Sequence, residues 1–185
     1  EKEDILSLHS AKTSLFEFYN IEKQIKSSFG KSVSMKKGTY LVIEHTEAMH
    51  VIDVNSGNRT NKHDTQEENA LEVNLQAAAE VARQLRLRDM GGIIVVDFID
   101  MNLAENKRKL TESLREHMKD DRAKHKILPP SRFGLIEITR QRVRPQTTIK
   151  TQESCPSCNG TGEIEAPIVL IDQLKEKLDF LSKDK

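Results

Sequence analysis

A chain of 185 residues, 36% of them hydrophobic, is long enough for one compact domain with smaller appendages; lacking Trp and with 4% aromatics, its core must be mostly aliphatic. Equal numbers of basic and acidic residues give zero formal charge, which excludes a uniformly basic polyanion binder but leaves room for a local field. The longest apolar stretches fall far below a membrane span, both cysteines sit in one Cys-x-x-Cys, and no charged-then-apolar leader opens the chain, so a cytoplasmic, soluble protein is expected. The first residue is Glu1 and the last lies inside a charge run, as in a piece of a longer protein.

Residues 1–19 carry helix-like spacing at Ile5, Leu8 and Leu15 without a clear boundary. Ile21 to Phe29 repeats apolar residues at four-residue spacing and closes on Gly30, which predicts a short helix. Tyr40 to Glu44 and Met49 to Val54, separated by a short polar turn, predict an antiparallel hairpin whose exit carries Asp53. The polar stretch 55–64 reads as a loop ending in the capping-box pattern Thr65-Gln66-Glu67-Glu68. A long helix follows, with Leu71, Leu75, Ala78, Ala82 and Leu85 on one face, stopped by Met90-Gly91-Gly92.

Ile93 to Phe98 is continuously apolar, the signature of a strand buried on both faces, and it ends in Asp97. Strand, helix and strand in that order predict a mixed sheet flanked by helices, an α/β (α+β) fold. Leu103, Lys107, Leu110, Leu114 and Met118 share a further helical face. After Pro129-Pro130, Phe133 to Ile138 predicts another strand, and a last helix is expected from about Pro167 with Ile171, Leu174, Leu178 and Leu181 at heptad-like spacing.

Asp53 and Asp97 end apolar runs, and a carboxylate there is costly without a cation or hydrogen-bond donors. If the strands are neighbours, the two acids can share one magnesium ion, whose shell is completed by water and nucleic-acid phosphate; Asn55, two residues on, leans to the same side. Asp at a strand end also caps turns or helices, and Asp100, just before the helix at Leu103, is better explained that way. Between Arg122 and Lys150 eight Lys and Arg face one acid, Glu137. Lys124, Arg132, Arg140, Arg142 and Arg144 are the expected phosphate-tracking set, the last three on one face if that stretch is extended. A strand edge protected by charge is the alternative. Cys155 and Cys158, followed by Asn159-Gly160-Thr161-Gly162, form half of a zinc knuckle that a second copy or histidines must complete; an unliganded pair is the alternative. The six histidines show no ligand spacing.

Taken in order, Ile21-Glu22-Lys23-Gln24-Ile25, Thr46-Glu47-Ala48, Ile52-Asp53-Val54-Asn55-Ser56, Ala82 to Gly92, Val96-Asp97-Phe98-Ile99-Asp100-Met101, Ser131-Arg132-Phe133-Gly134-Leu135 and Cys155 to Gly162 resemble the ribonuclease E/G endoribonucleases. Any one of these words is weak, and the ordered set is specific. The resemblance implies that 1–37 is the tail of a ribonuclease H-like subdomain and 38–150 a deoxyribonuclease I-like catalytic subdomain. It further implies that 151–163 is a zinc link and 164–185 the start of a small dimerisation domain. Asp53 and Asp97 would hold the catalytic magnesium (manganese substituting), Asn55 would support them, and Cys155 and Cys158 would share one zinc with the same pair of a second protomer. The implied activity is internal cleavage of single-stranded RNA, leaving 5′-phosphate and 3′-hydroxyl ends, in a zinc-linked homodimer or a tetramer of such dimers. The family's RNA-binding barrel and 5′-sensing region precede anything in this sequence. The competing expectation is a non-catalytic RNA-binding and dimerisation module.

Overall fold

In the computed structural model, which describes residues 8–57, 65–149, 155–158, 162 and 174–180, the periodicities resolve into a six-stranded mixed sheet and α-helices. The chain divides into two compact units, Glu1–Thr151 and Gln152–Lys185. In the first, helices α1 (Leu15–Phe18) and α2 (Ile21–Phe29) lead to strands β1 (Ser32–Ser34), β2 (Tyr40–His45) and β3 (Met49–Asn55). Helix α3 (Gln66–Leu87), strand β4 (Gly92–Asp97), helix α4 (Ala104–Met118) and strands β5 (His125–Ile127) and β6 (Ile136–Arg140) follow. The sheet order is β1-β2-β3-β4-β6-β5, antiparallel except for the central β3–β4 pair. That parallel pair requires a crossover, and α3 supplies it.

Helix α3 begins where the capping box predicts: the Glu68 amide donates to Thr65 Oγ1 at 3.3 Å and the Thr65 amide donates to Glu68 Oε2 at 2.9 Å. Its left-handed stop lies two residues before the first glycine. Asp89 takes φ 50°, the Met90 amide donates to the Leu85 carbonyl at 3.0 Å, and buried Met90 and Leu85 accompany that closure. Helix α4 is capped from outside. Leu103 makes no side-chain cap; Glu67 of α3 instead accepts from the amides of Asn102 and Leu103, at 2.9 and 3.0 Å, and from Asn106 Nδ2. Asp100 is therefore not the cap of α4, because a carboxylate from the neighbouring helix already occupies the position.

Leu41, Ile43, Ile52, Val54, Ile94, Val96, Ile136 and Ile138 share one face of the sheet and join α3 and α4 in a single aliphatic core. The expectation that β4 is buried on both faces fails. Ile94 and Val96 are buried, whereas Ile93 is 48% exposed, because among the described residues the covering helices lie on one side only. The opposite face is open, and Asp53, Asp97, Glu137 and Thr139 lie exposed along it. Residues 174–180 of the second unit are helical, with Leu174 and Leu178 exposed; Ile171 and Leu181 lie outside the described residues. No helix among the described residues is long and apolar enough to cross a membrane.

Candidate active site

Parallel pairing places Asp53 of β3 directly beside Asp97 of β4 in register, both on the open face of the sheet. Asn55, two residues along β3, donates from Nδ2 to Asp53 Oδ2 at 2.6 Å and so fixes one carboxylate oxygen while leaving the other free of that contact. The segment leaving β4 is pinned by α3: buried Asn74 donates from Nδ2 to the Ile99 carbonyl at 2.8 Å and accepts the Ile99 amide on Oδ1 at 3.0 Å. That clasp fixes the chain between Asp97 and Asp100.

Both acids of the pair are exposed, so the electrostatic demand comes less from deep burial than from like charge. Partial shielding from water, then the carboxylates of Asp53 and Asp100, push the Asp97 carboxyl above its ordinary range. A hard cation between the strand ends would relieve that repulsion, and two carboxylates suit magnesium, which keeps several waters of its own. Among the described residues no three His, Cys, Asp or Glu side chains converge as a metal cluster, so such an ion would rest on two protein acids plus non-protein oxygens.

The basic segment divides into unlike parts. Arg140 is a correction to the expected phosphate-tracking set: its side chain is 5% exposed, pairs with Asp121 through Nε (2.7 Å) and Nη2 (2.9 Å), and donates from Nη1 to the Met90 carbonyl. Alternation along β6 puts Arg140 on the same face as Ile136 and Ile138, which is the core side. The strand ends there, so Arg142 and Arg144 do not continue its face. Arg142 lies over the backbone of Gly91 and Gly92, where an added Cβ on Gly91 would meet its Cγ at 2.7 Å, and Arg144 reaches Asp89 at 3.2 Å. Lys124 and Arg132 are exposed.

In the second unit Cys155 and Cys158 form no disulfide, and the Gly162 amide donates to Cys158 Sγ at 3.3 Å. Backbone donors of Cys158 and Ser157 hold the Cys155 thiol below its ordinary range. That is the amide-to-sulfur environment a thiolate metal ligand needs, and two thiolates provide half of a tetrahedral zinc shell.

Sequence spacing did not reveal the pair His45 and His50, cross-strand partners on the helix side of the sheet. Their Nδ1 atoms are 2.7 Å apart, so one ring donates to the other, and His50 Nε2 lies 3.2 Å from the Gly91 carbonyl. Partial burial first, and the charges of neighbouring His and Arg residues next, keep His45 neutral to lower pH than usual. The pair occupies the face opposite the acids and serves the packing of the hairpin against the 88–91 turn. A hydrophobic-pattern reading cannot find it, because it depends on hairpin register.

Fold and site together define an α+β domain that presents a carboxylate pair from two adjacent parallel strands. The chain belongs to the ribonuclease E/G family, whose model matches residues 1–143. It is 45% identical over 159 residues to ribonuclease E of Escherichia coli, covering 86% of this chain and 15% of that protein. It is 44% identical over 174 residues to the chloroplastic ribonuclease E/G-like protein of Arabidopsis thaliana, covering 94% of this chain and 17% of that protein. Ribonuclease G of Haemophilus influenzae is 37% identical over 165 residues, which is 89% of this chain and 33% of that protein. The chain thus spans from about a sixth to a third of the length of these relatives.

Proposed function

We propose that this chain carries the magnesium-dependent catalytic core of an endoribonuclease that cuts single-stranded RNA internally and leaves 5′-phosphate and 3′-hydroxyl ends, acting in RNA processing. The observation that carries the reading is the register pairing of Asp53 with Asp97 on the uncovered face of the sheet, where a polyanion has access. Asp53 and Asp97 would hold the metal. A magnesium ion there would polarise the scissile phosphoryl group and lower the pKa of an attacking water. Asn55 orients the Asp53 carboxylate by its 2.6 Å hydrogen bond, and the Asn74 clasp keeps Asp97 at a fixed strand end. Asp97, with its raised proton affinity, takes up a proton as pH falls and then ceases to be an anionic ligand, so activity is expected to decline on the acid side.

Residues 38–150 are proposed as the deoxyribonuclease I-like catalytic subdomain, 1–37 as the tail of a ribonuclease H-like subdomain, 151–163 as a zinc link and 164–185 as the start of a dimerisation domain. Cys155 and Cys158 would supply two of four thiolates, the remaining two coming from the same pair of a second protomer. Native mass spectrometry is expected to find one zinc per dimer and loss of the dimer on chelation. Two zinc ions per dimer, or a dimer indifferent to chelator, argues against the shared site.

Cleavage of matched RNA and DNA oligomers with magnesium and with chelator tests the enzymatic reading. Magnesium-dependent cuts in single-stranded RNA are expected. Salt-sensitive RNA binding with no cleavage under any divalent ion would leave a binding and dimerisation module instead.

A further inference from the structure

The turn that leads into β6 carries an aromatic side chain that the fold does not use. Phe133 is 86% exposed, in a protein whose other hydrophobic needs are met by a continuous aliphatic core. Its backbone is nevertheless firmly set. The Ser131 amide donates to the Leu135 carbonyl at 2.8 Å, the Gly134 amide to the Ser131 carbonyl at 3.0 Å, and the Phe133 amide to Ser131 Oγ at 3.3 Å. Gly134 takes φ 83°, a left-handed conformation, and a Cβ placed on it would lie 3.4 Å from Asp100 Oδ1. Asp100 is close enough for its charge to act on Asp97. The turn then enters β6, where Ile136 pairs with Val96, the residue before Asp97. A rigid turn thus displays a phenyl ring at the sheet end that carries the acid pair.

On its other side the same turn walls a groove of about 450 Å³ against α4. Lys107, Arg108 and Arg115 of α4 and Arg132 of the turn line it, with Glu112 as the lining acid. Arg108 and Arg115, seven residues apart, share one stripe of α4, and Lys107 lies beside it on the same lining. Arg108 pairs loosely with Glu112 at 3.5 Å, and Arg115 makes a long 3.4 Å contact with the Ile127 carbonyl, so the groove keeps excess positive charge. The cleft of about 430 Å³ near His45 differs: Lys31 is paired with Glu44 at 2.6 Å, and Arg88 donates to the Ser28 and Gly30 carbonyls and to Gln84.

A positively charged groove joined to an exposed aromatic ring is the combination by which proteins hold single-stranded nucleic acid, the cations meeting phosphates and the ring stacking an unpaired base. We propose that the 131–135 turn and the groove along α4 form the single-strand path on one side of the acid pair, with Phe133 stacking a base and Lys107, Arg108, Arg115 and Arg132 meeting phosphates. The inference rests on the proposed endoribonuclease reading and assigns its substrate track. It shifts the polyanion surface from Arg140, which is buried, to a helix stripe outside the basic segment.

The chain has no Trp, so Phe133→Trp installs a single fluorescent reporter. With chelator present to prevent cleavage, titration with a single-stranded oligoribonucleotide is expected to quench that indole. In anisotropy titrations Phe133→Ala and Phe133→Leu should both weaken binding about tenfold, the leucine failing because it cannot stack. Arg108→Gln with Arg132→Gln should lower the slope of log affinity against log salt by about two. An unquenched indole at saturating RNA, full affinity in Phe133→Leu, or an unchanged salt slope overturns the proposal. So does a Phe133→Ala variant whose self-association changes while its RNA affinity does not, since the ring would then be a protein contact. Magnesium-dependent cleavage by the unaltered chain, measured alongside, separates the two ideas: cleavage with no effect at Phe133 removes only the track, and absent cleavage removes the enzymatic reading.

Discussion

Asp53→Asn or Asp97→Asn is expected to lower magnesium-dependent RNA cleavage by about a hundredfold to a thousandfold while RNA affinity in chelator stays within about twofold. The physical reason is that each carboxylate contributes half of the protein charge at the only acid pair placed in register on the open face of the described sheet. A neutral amide oxygen holds a hard, reluctantly dehydrated divalent cation far more weakly than a carboxylate does. Loss of several kcal/mol of electrophilic stabilisation corresponds to that range of rates. Asp97→Asn carries in addition a stability signature that an ordinary structural role would not. Because the folded state raises the Asp97 pKa, its ionised form is disfavoured by folding, and stability is gained as pH falls through the raised value rather than lost. Asp97→Asn therefore melts no earlier than the unaltered chain at neutral pH without divalent ions, and magnesium raises the melting temperature of the unaltered chain alone. Wild-type cleavage rates in both variants would remove the acid pair from the chemistry.

Asp121→Ala is expected to be among the most destabilising single changes in the first unit, at about 3–5 kcal/mol, because it strands the Arg140 guanidinium in the core without its partner. For a chain of this size that corresponds to a fall of roughly 10 °C in melting temperature, read by circular dichroism. Burial works against ionisation of Asp121, but the Arg140 hydrogen bond, the Ala123 amide and the charges of Arg140 and His125 outweigh it and hold the carboxyl below its ordinary range. A depressed carboxylate stabilises the fold above its unfolded pKa, and that contribution disappears as pH falls through the folded value. Replacing both partners by apolar residues of similar size, Asp121→Leu with Arg140→Met, should recover most of the loss, since the pair's desolvation cost goes with it. An Asp121→Ala chain that melts with the unaltered one would refute the buried pairing. The contrast with Arg132 is instructive: one arginine belongs to the core and the other to the surface, though both sit in the same basic run.

Local chemistry was legible wherever a single element settles it. Thr65 and Glu68 announce the start of α3 because both partners lie within one turn, and alternation in β2 and β3 gives the hairpin because strand period is local. Cys155 and Cys158 stand close because three residues of turn bring them there. Contacts between distant elements were not legible in this way. Glu67 takes the cap expected of Asp100 because α3 and α4 pack side by side, which no stretch of sequence around Asp100 encodes. Alternation places Arg140 on one face of β6, but only the packing of α4 and the 121–123 turn makes that face the interior.

The acid pair shows where the two kinds of information part. The sequence by itself determined that Asp53 and Asp97 lie at or near the ends of two apolar strands, since hydrocarbon runs specify strands and charge marks where they run out, and the ordered family words determined which chemistry to look for. Tertiary structure alone decided that β3 and β4 are parallel neighbours in matching register and that their second face is uncovered. Register depends on the crossover through α3, and exposure depends on both long helices packing on the same side. Those are sums over long-range contacts, so the proximity of two carboxylates, and the aromatic turn beside them, exist only in the folded chain.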